Sequence, residues 1–308
     1  MKWLRSIAIA VAVAGVCSGQ TQTSCFAFLL GGDVSVTCDG KRSQVTRRGD
    51  IEQFAVSSER SSLGLITSRI TKRTASVADA IYTTVIIDLK SGNAKSVFGA
   101  NTVISTCGSI FWASDERREH SGTRDLSTGD EVAVPPYNWF RCSSDRKIVV
   151  GIVKGDADDL YEGTPPQIRV TLAGARHGYT FNLSADGSKV AYASDSSPLC
   201  VFSSGSTQCA SEDAIDAFGD VPSVNDAGDV LVATHTQQEC FYKSPSNFSA
   251  TRTRGAGRDA CLGIGYWRPG LKSIEIVEPI GRNPQWINPA TAALLRDWAV
   301  RTAGRAQE

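Results

Sequence analysis

No sign of charge is in excess: 32 lysines and arginines face 32 aspartates and glutamates across 308 residues. That balance excludes nonspecific nucleic-acid binding by counterion release, which needs a basic surface. Histidine is scarce, and His120, His177 and His235 lie far apart. With no C-x-x-C spacing either, the usual zinc arrangements are missing, and no metal or other cofactor is expected. There is no G-x-S-x-G elbow, no H-E-x-x-H and no phosphate loop ending in Gly-Lys-Ser/Thr. Gly255–Ala260 mimics a dinucleotide fingerprint but has no strand before it and no helix after it, so it is read as a loop. Long apolar runs are absent beyond the first residues, which excludes a later membrane helix of about 18 residues or more. Helical periodicity is rare. The 41% hydrophobic and 21% charged content fits a globular chain rather than a disordered, collagen-like or coiled-coil one.

What is present begins with an address. Lys2 and Arg5 precede the apolar run Ile7 to Val16, and Ser18 and Gly19 offer small residues for cleavage. This reads as a secretory signal over residues 1–19. A lipid anchor on Cys17 is disfavoured because Val16, not a small residue, precedes it. The remaining chain, 20–308, is read as one domain, secreted or periplasmic. It keeps eight cysteines, and an even number in an oxidising compartment implies disulfides.

A repeated unit organises the domain: Ser or Asn, an Asp/Gly-type turn, then a run of apolar residues. It occurs as Leu183-Ser184-Ala185-Asp186-Gly187-Ser188-Lys189 before Val190 to Ala193. It recurs at Val224-Asn225-Asp226-Ala227-Gly228-Asp229 before Val230 to Ala233, and at Cys142-Ser143-Ser144-Asp145 before Ile148 to Val150. Weaker copies lie at Val56 to Ile66 and Val103 to Trp112, and a last one starts at Trp286. Strand units with a period of 40 to 50 residues indicate propeller blades, the turn joining the innermost strand to the second. Further hairpins complete the blades, as in Thr83 to Leu89 with Ala94 to Phe98.

The two ends of the chain each lack part of a blade. Cys25 to Leu29 and Val34 to Cys38 form a hairpin without inner strands, and the copy from Trp286 onward has room for two inner strands. Joining them predicts an all-β, six-bladed β-propeller closed by pairing N-terminal strands with the C-terminal blade. The tail is accordingly read as strand, against a helix capped by Asn288, started at Pro289 and stopped by Gly304. The layout suggests the pairs Cys25–Cys38, Cys200–Cys209, Cys107–Cys142 and Cys240–Cys261. The last pair would close an insertion at 235–262 within the fifth blade.

The unit from Leu183 to Tyr192 resembles the repeat of TolB-like β-propellers, which are exported proteins of bacterial envelopes. The resemblance covers most of the mature chain and implies an architecture, not a catalytic residue. In such a ring Glu52, Tyr137, His177, Asp220 and Arg282 would surround one mouth of the axial channel, where loops converge on a ligand. Asp156, Asp158 and Asp159 lack the spacing of a calcium loop, and Arg252, Arg254 and Arg258 read as an exposed loop. The expected function is a non-enzymatic binding or scaffold module, a monomer with a protein or envelope-associated ligand. The alternative is a hydrolase or lyase with its site at the mouth and a metal on carboxylates such as Glu52 and Asp220.

Overall fold

The computed structural model describes residues 24–73, 78–98, 102–106, 108–113, 123–126, 128, 130–132, 137–145, 147–153, 159–163, 166–171, 179–194, 197–211, 221–239 and 260–305. Three strands come first: β1 (Cys25–Leu30), β2 (Asp33–Cys38) and β3 (Lys41–Gln44). Five four-stranded antiparallel blades follow, each from one continuous stretch of chain. The first holds β4 (Ile51–Ser57), β5 (Ser62–Arg73), β6 (Ala78–Asp88) and β7 (Ala94–Phe98). The second holds β8 (Thr102–Thr106), β9 (Ser109–Ala113), β10 (Thr123–Asp125) and β11 (Glu131–Val132). The third holds β12 (Tyr137–Cys142), β13 (Val149–Val153), β14 (Asp159–Glu162) and β15 (Gln167–Thr171). The fourth holds β16 (Tyr179–Leu183), β17 (Lys189–Ser194), β18 (Ser197–Ser203) and β19 (Ser206–Cys209). The fifth holds β20 (Ser223–Val224), β21 (Val230–Glu239), β22 (Ala260–Trp267) and β23 (Glu275–Glu278). Then come β24 (Arg282–Ile287) and a helix, α1 (Pro289–Arg305). First strands of successive blades touch one another, so they are the innermost.

The repeat turn works by hydrogen bonding. The Ser184 hydroxyl donates to Asp186 Oδ1 at 2.7 Å and accepts from the Lys189 amide at 3.0 Å, while Asp186 Oδ1 takes the Ser188 amide at 2.8 Å. Ser143 and Asp145 reproduce this, with 2.7 Å between them and Ser143 Oγ accepting from the Ile148 amide at 3.0 Å. Asn225 does both jobs with one side chain, accepting from the amides of Ala227 and Asp229. Gly187 has φ +75° and packs where a Cβ would lie 2.8 Å from Ile148 Cδ1, so both conformation and contact demand glycine. The turns also hold hands between blades. Ser57 Oγ donates to the Gly108 carbonyl, the Ser144 amide to the Ala185 carbonyl, and the Asp186 amide to Asp226 Oδ1.

Apolar side chains fill the wedges between neighbouring sheets. Val150, Leu160 and Val170 of the third blade meet Phe181, Val190 and Tyr192 of the fourth. Ala191, Leu199 and Val201 then meet Val230, Val232 and Trp267 of the fifth. Phe26 and Phe28 pack on Leu231 and Ile264.

The expectation of six blades is corrected, because the blades number five. The remaining sheet, in the order β24-β1-β2-β3, is assembled from the two chain ends and fills the space between the fifth and first blades. β24 pairs antiparallel with β1, Cys25 opposite Ile287 and Phe26 opposite Trp286. This closing sheet is not a copy of the repeat. It has no Ser-x-Asp-Gly turn, and only one strand comes from the C-terminal side. The tail is corrected as well: after Ile287 the chain turns into α1 rather than a second inner strand. Local signals prevail there, since Asn288 Oδ1 caps the Thr291 amide at 2.7 Å and Pro289 occupies the first helical position. Ala292 and Leu295 are fully buried against Cys25, Cys38, Val45 and Leu89, joined by the partly buried Leu294 and Trp298. Arg301 Nη2 donates to the Leu89 carbonyl at 2.6 Å, tying α1 to the first blade.

Disulfides join Cys25 to Cys38 and Cys200 to Cys209, both directly opposite in register. β3 extends the sheet beyond β2, so Cys25–Cys38 crosses its middle pair of strands, not an outer hairpin. Cys142 is disulfide-bonded as well. Its expected partner Cys107 lies outside the described residues, as does Cys240, and of Cys261 only the backbone is described.

Two outcomes follow from these contacts. Replacing Cys25 and Cys38 by alanine should lower unfolding free energy by about 3 kcal/mol, as loop closure over this separation implies, measured by urea denaturation. Hydrogen bonds from Ser143 and the Lys147 amide hold the Asp145 carboxyl down to about 2, below the ordinary 3.8. Its stabilising contribution is therefore complete above the ordinary value and is lost as pH falls through about 2. Asp145→Asn should flatten the decline of Tm across that acid window. Parallel curves for the two proteins would contradict this.

Candidate functional site

Alternation of antiparallel strands sorts the connections onto two faces. Turns between first and second strands, and between third and fourth, share one face. Those wholly described are tight: 58–61, 184–188, 204–205 and 225–229 among them. The other face receives the segments joining second to third strands and each blade to the next. Among the described residues, the second strands β5, β17 and β21 end on this face and the third strands β6, β18 and β22 begin there. The innermost strands begin on this second face.

Glu52 is the second residue of β4 and Arg282 the first of β24, and the structure brings them together. Arg282 Nη2 donates to the Glu52 carbonyl at 3.1 Å and stands 3.6 Å from its Oε2. The Ser68 hydroxyl donates to Glu52 Oε1 at 2.6 Å. Tyr82 lies opposite Ser68 in register, and burial together with the Glu52 carboxylate raises its phenol above the usual value. It therefore stays a neutral O–H at physiological pH. The Arg282 side chain is 42% exposed and that of Glu52 18%, so the cation faces solvent while the carboxylate anchors it. Burial and hydrogen bonding leave the pair positioned to present a guanidinium edge, a group suited to carboxylates and phosphates.

Two local features aim Arg282. The register of β24 against β1 shifts between Ala27 and Leu29, and Asn283 takes φ 53°, a left-handed conformation that asparagine tolerates. Beside it, Asp33 shapes the connection into β4. Its Oδ1 accepts from the amides of Arg48 and Gly49 and from Thr46 Oγ1. Gly32 admits the chain there, because a Cβ would lie 2.5 Å from the Gly49 carbonyl oxygen.

Side chains of β24 also cover the open edge of β4. Arg282, Asn283 and Gln285 donate to the carbonyls of Glu52, Phe54 and Val56. Gln285 in addition accepts from the Val56 amide at 2.9 Å. Around the axis, Ser105 Oγ donates to the same Val56 carbonyl, and the Trp286 amide donates to Ser223 Oγ.

Of the other expected mouth residues, Tyr137 begins β12 and so lies on the same face as Glu52 and Arg282. His177 and Asp220 fall outside the described residues, as do Asp156, Asp158, Arg252, Arg254, Arg258 and the 255–259 loop. Asp159 is in β14 of the third blade. Ser68 and Tyr82 were not foreseen, because they sit where β5 and β6 run past the length of the repeat. Also unforeseen is Arg141 in β12, whose guanidinium burial lowers to about 10. It donates to the Phe140 carbonyl and lies over the Phe181 ring. Among the described residues no group of three or more His, Cys, Asp or Glu side chains comes together.

No family model matches the chain, and no curated protein matches it in sequence. Solved structures similar to it include the β-propeller domain of the Trilobed protease from Pyrococcus furiosus, 12% identical with a TM-score of 0.39, over 74% of this chain and 71% of that one. An oligogalacturonate lyase in complex with manganese is 13% identical with a TM-score of 0.46, over 68% and 70%. An acylaminoacyl peptidase from Pyrococcus horikoshii is 11% identical with a TM-score of 0.45, over 82% of this chain and 42% of that one.

Gln285→Ala should cost roughly 1–3 kcal/mol, the range for stranding an inner backbone group, because the Val56 amide loses its acceptor while the Val56 carbonyl keeps only the Ser105 hydroxyl. Denaturant titration measures it. A change within error of zero would mean that water serves the β4 edge equally well.

Proposed function

We propose that this chain is an exported β-propeller that binds a protein or envelope-associated ligand without catalysing a reaction, using the face on which its innermost strands begin. The observation that carries this reading is the Arg282–Glu52 pair, a half-exposed cation held in place at that face. The opposite face consists of tight hydrogen-bonded turns, with α1 packed beside them. Tyr137, at the start of β12, belongs to the same proposed mouth, and sequence order assigns His177 and Asp220 to it. Export rests on the signal-like residues 1–19, and two disulfides in the described chain fit an oxidising compartment. The Ser-x-Asp-Gly turns support kinship with TolB-like propellers. No helix among the described residues is long and apolar enough to cross a membrane.

The test compares faces. Tagged mature protein is incubated with envelope and medium fractions, and bound components are quantified for wild type, Arg282→Glu and Lys90→Glu, the last on the turn face. Capture should fall by roughly tenfold or more for Arg282→Glu, as for a buried-side charge contact at an interface, and persist for Lys90→Glu. Repeated recovery of no component, or equal capture by all three proteins, overturns the reading.

A further inference from the structure

Two hairpins rise past the blades they belong to. In the first blade, β4 accompanies β5 only to Thr67 opposite Ile51, and β7 accompanies β6 only to Thr83. β5 and β6 nevertheless continue as a two-stranded ribbon, from Ser68 opposite Tyr82 to Arg73 opposite Ala78, with a register shift between Ile70 and Lys72. In the fifth blade, β20 meets β21 only at Val230 and Leu231, yet β21 and β22 stay paired to His235 opposite Leu262 and meet again, after a register shift, at Glu239 opposite Ala260. At about 3.3 Å per residue each ribbon overshoots its sheet by an order of 15–20 Å. The closing sheet lies between these two blades and is shorter, turning at Gly31-Gly32. The ribbons therefore stand on either side of a low saddle whose floor carries Arg282 and Glu52.

Each ribbon turns an edge toward the axis. β5 is second from the axis, so above Thr67 its inner edge has no strand partner among the described residues. The Ser68 amide already points to that side, donating to the Asp50 carbonyl at 3.1 Å. Alternation along a strand places the backbone groups of Ile70 on the same side. The β5 ribbon carries Arg69, Lys72 and Arg73, against a single acidic residue, Asp79, on the facing stretch Ala78 to Tyr82 of β6. Exposed Arg47 adds positive charge below it, where Arg282 is balanced by Glu52. The corresponding stretch of β21, from Val232 to Glu239, has no lysine or arginine and one glutamate. Charge thus selects the β5 edge.

Resting on the reading that this face binds, we propose that an extended acidic peptide segment of a partner protein adds as a strand to the axis-facing edge of β5 at Ser68–Arg73. Backbone donors and acceptors keep strand spacing up to Ile70, where a register shift precedes Lys72, and such an edge suits a peptide, since strand addition draws affinity from backbone groups. A nucleic acid would need a broad basic surface, and the chain is neutral overall.

The probe is a fluorescein-labelled peptide of about ten residues alternating Glu and Val, titrated into the full mature chain by anisotropy. Saturable binding is expected. It should weaken roughly tenfold or more with Arg69→Glu/Lys72→Glu/Arg73→Glu, and by a similar factor when alternate peptide nitrogens are methylated, which removes the pairing donors. A Lys-Val peptide should not bind. Lys72→Glu alone serves if the triple variant melts early, and the methylated peptide needs no variant at all. Absence of saturable binding overturns the proposal, leaving Arg69, Lys72 and Arg73 as guards against edge pairing. Equal binding of the methylated peptide, or equal displacement by a single-stranded oligonucleotide, overturns it in favour of a general polyanion site. Either failure alongside Arg282-dependent capture leaves the binding face standing and removes strand addition alone. Peptide binding with capture indifferent to Arg282 does the reverse.

Discussion

The innermost strand of a propeller blade has one edge with no strand beyond it, in a space too narrow for another sheet. Its backbone groups still require partners, and leaving them without any costs about 1–3 kcal/mol each. Between β24 and β4 the problem is solved by side chains. Arg282, Asn283 and Gln285 reach the alternate carbonyls of Glu52, Phe54 and Val56, matching the period of two along the receiving strand. Ser105 and Ser223 extend the same device to the neighbouring inner strands. This lattice requires β24 to stand beside β4, which in turn requires the two ends of the chain to meet. The β24–β1 pairing, the Cys25–Cys38 bond and α1 all hold that meeting in place.

The same economy explains why the turns repeat when little else does. Outer strands differ widely in length and composition, but the turns at Ser57, Ser143, Ser184 and Asn225 each offer a hydroxyl or amide side chain to two backbone groups. The bond from the Asp186 amide to Asp226 couples two blades directly. Burial raises the Asp226 carboxyl, with the nearby Asp186 carboxylate adding to it, whereas amide and hydroxyl donors overcome burial at Asp186 and lower it. Their opposite shifts ease the cost of two carboxylates meeting at a blade junction.

The repeat was legible because its chemistry is local. Ser184, Asp186 and Gly187 act within a few residues, so the spacing to Ser143 and Asn225 reveals blades without any knowledge of packing. Cys25 and Cys38 were legible for a similar reason, since Gly31-Gly32-Asp33 sets a hairpin that places them opposite. The tail went the other way: extrapolating a period past Trp286 favoured strand, while Asn288, Pro289 and the run of alanines specify a helix whose apolar face fits the closing sheet. Glu52 and Arg282 share a face by virtue of ring order alone, which the repeat implies. That Ser68 and Tyr82 support them could not be read, because it depends on β5 and β6 exceeding the repeat. No periodic signal marks such an overshoot.

The proposed binding face gathers where the repeat breaks. A regular blade commits its inner strand and its turn to neighbours on both sides, leaving little freedom for a ligand. The closing sheet lacks that turn, and its inner strand carries a register shift and a left-handed Asn283, irregularities that are kept only where surrounding contacts support them. Arg282 emerges at that irregularity, and the two overlong hairpins flank it from the blades on either side. Closing the ring and presenting the candidate site are thus the work of one segment, Arg282–Ile287. Its outermost residue faces solvent, and those that follow bind the first and fifth blades together.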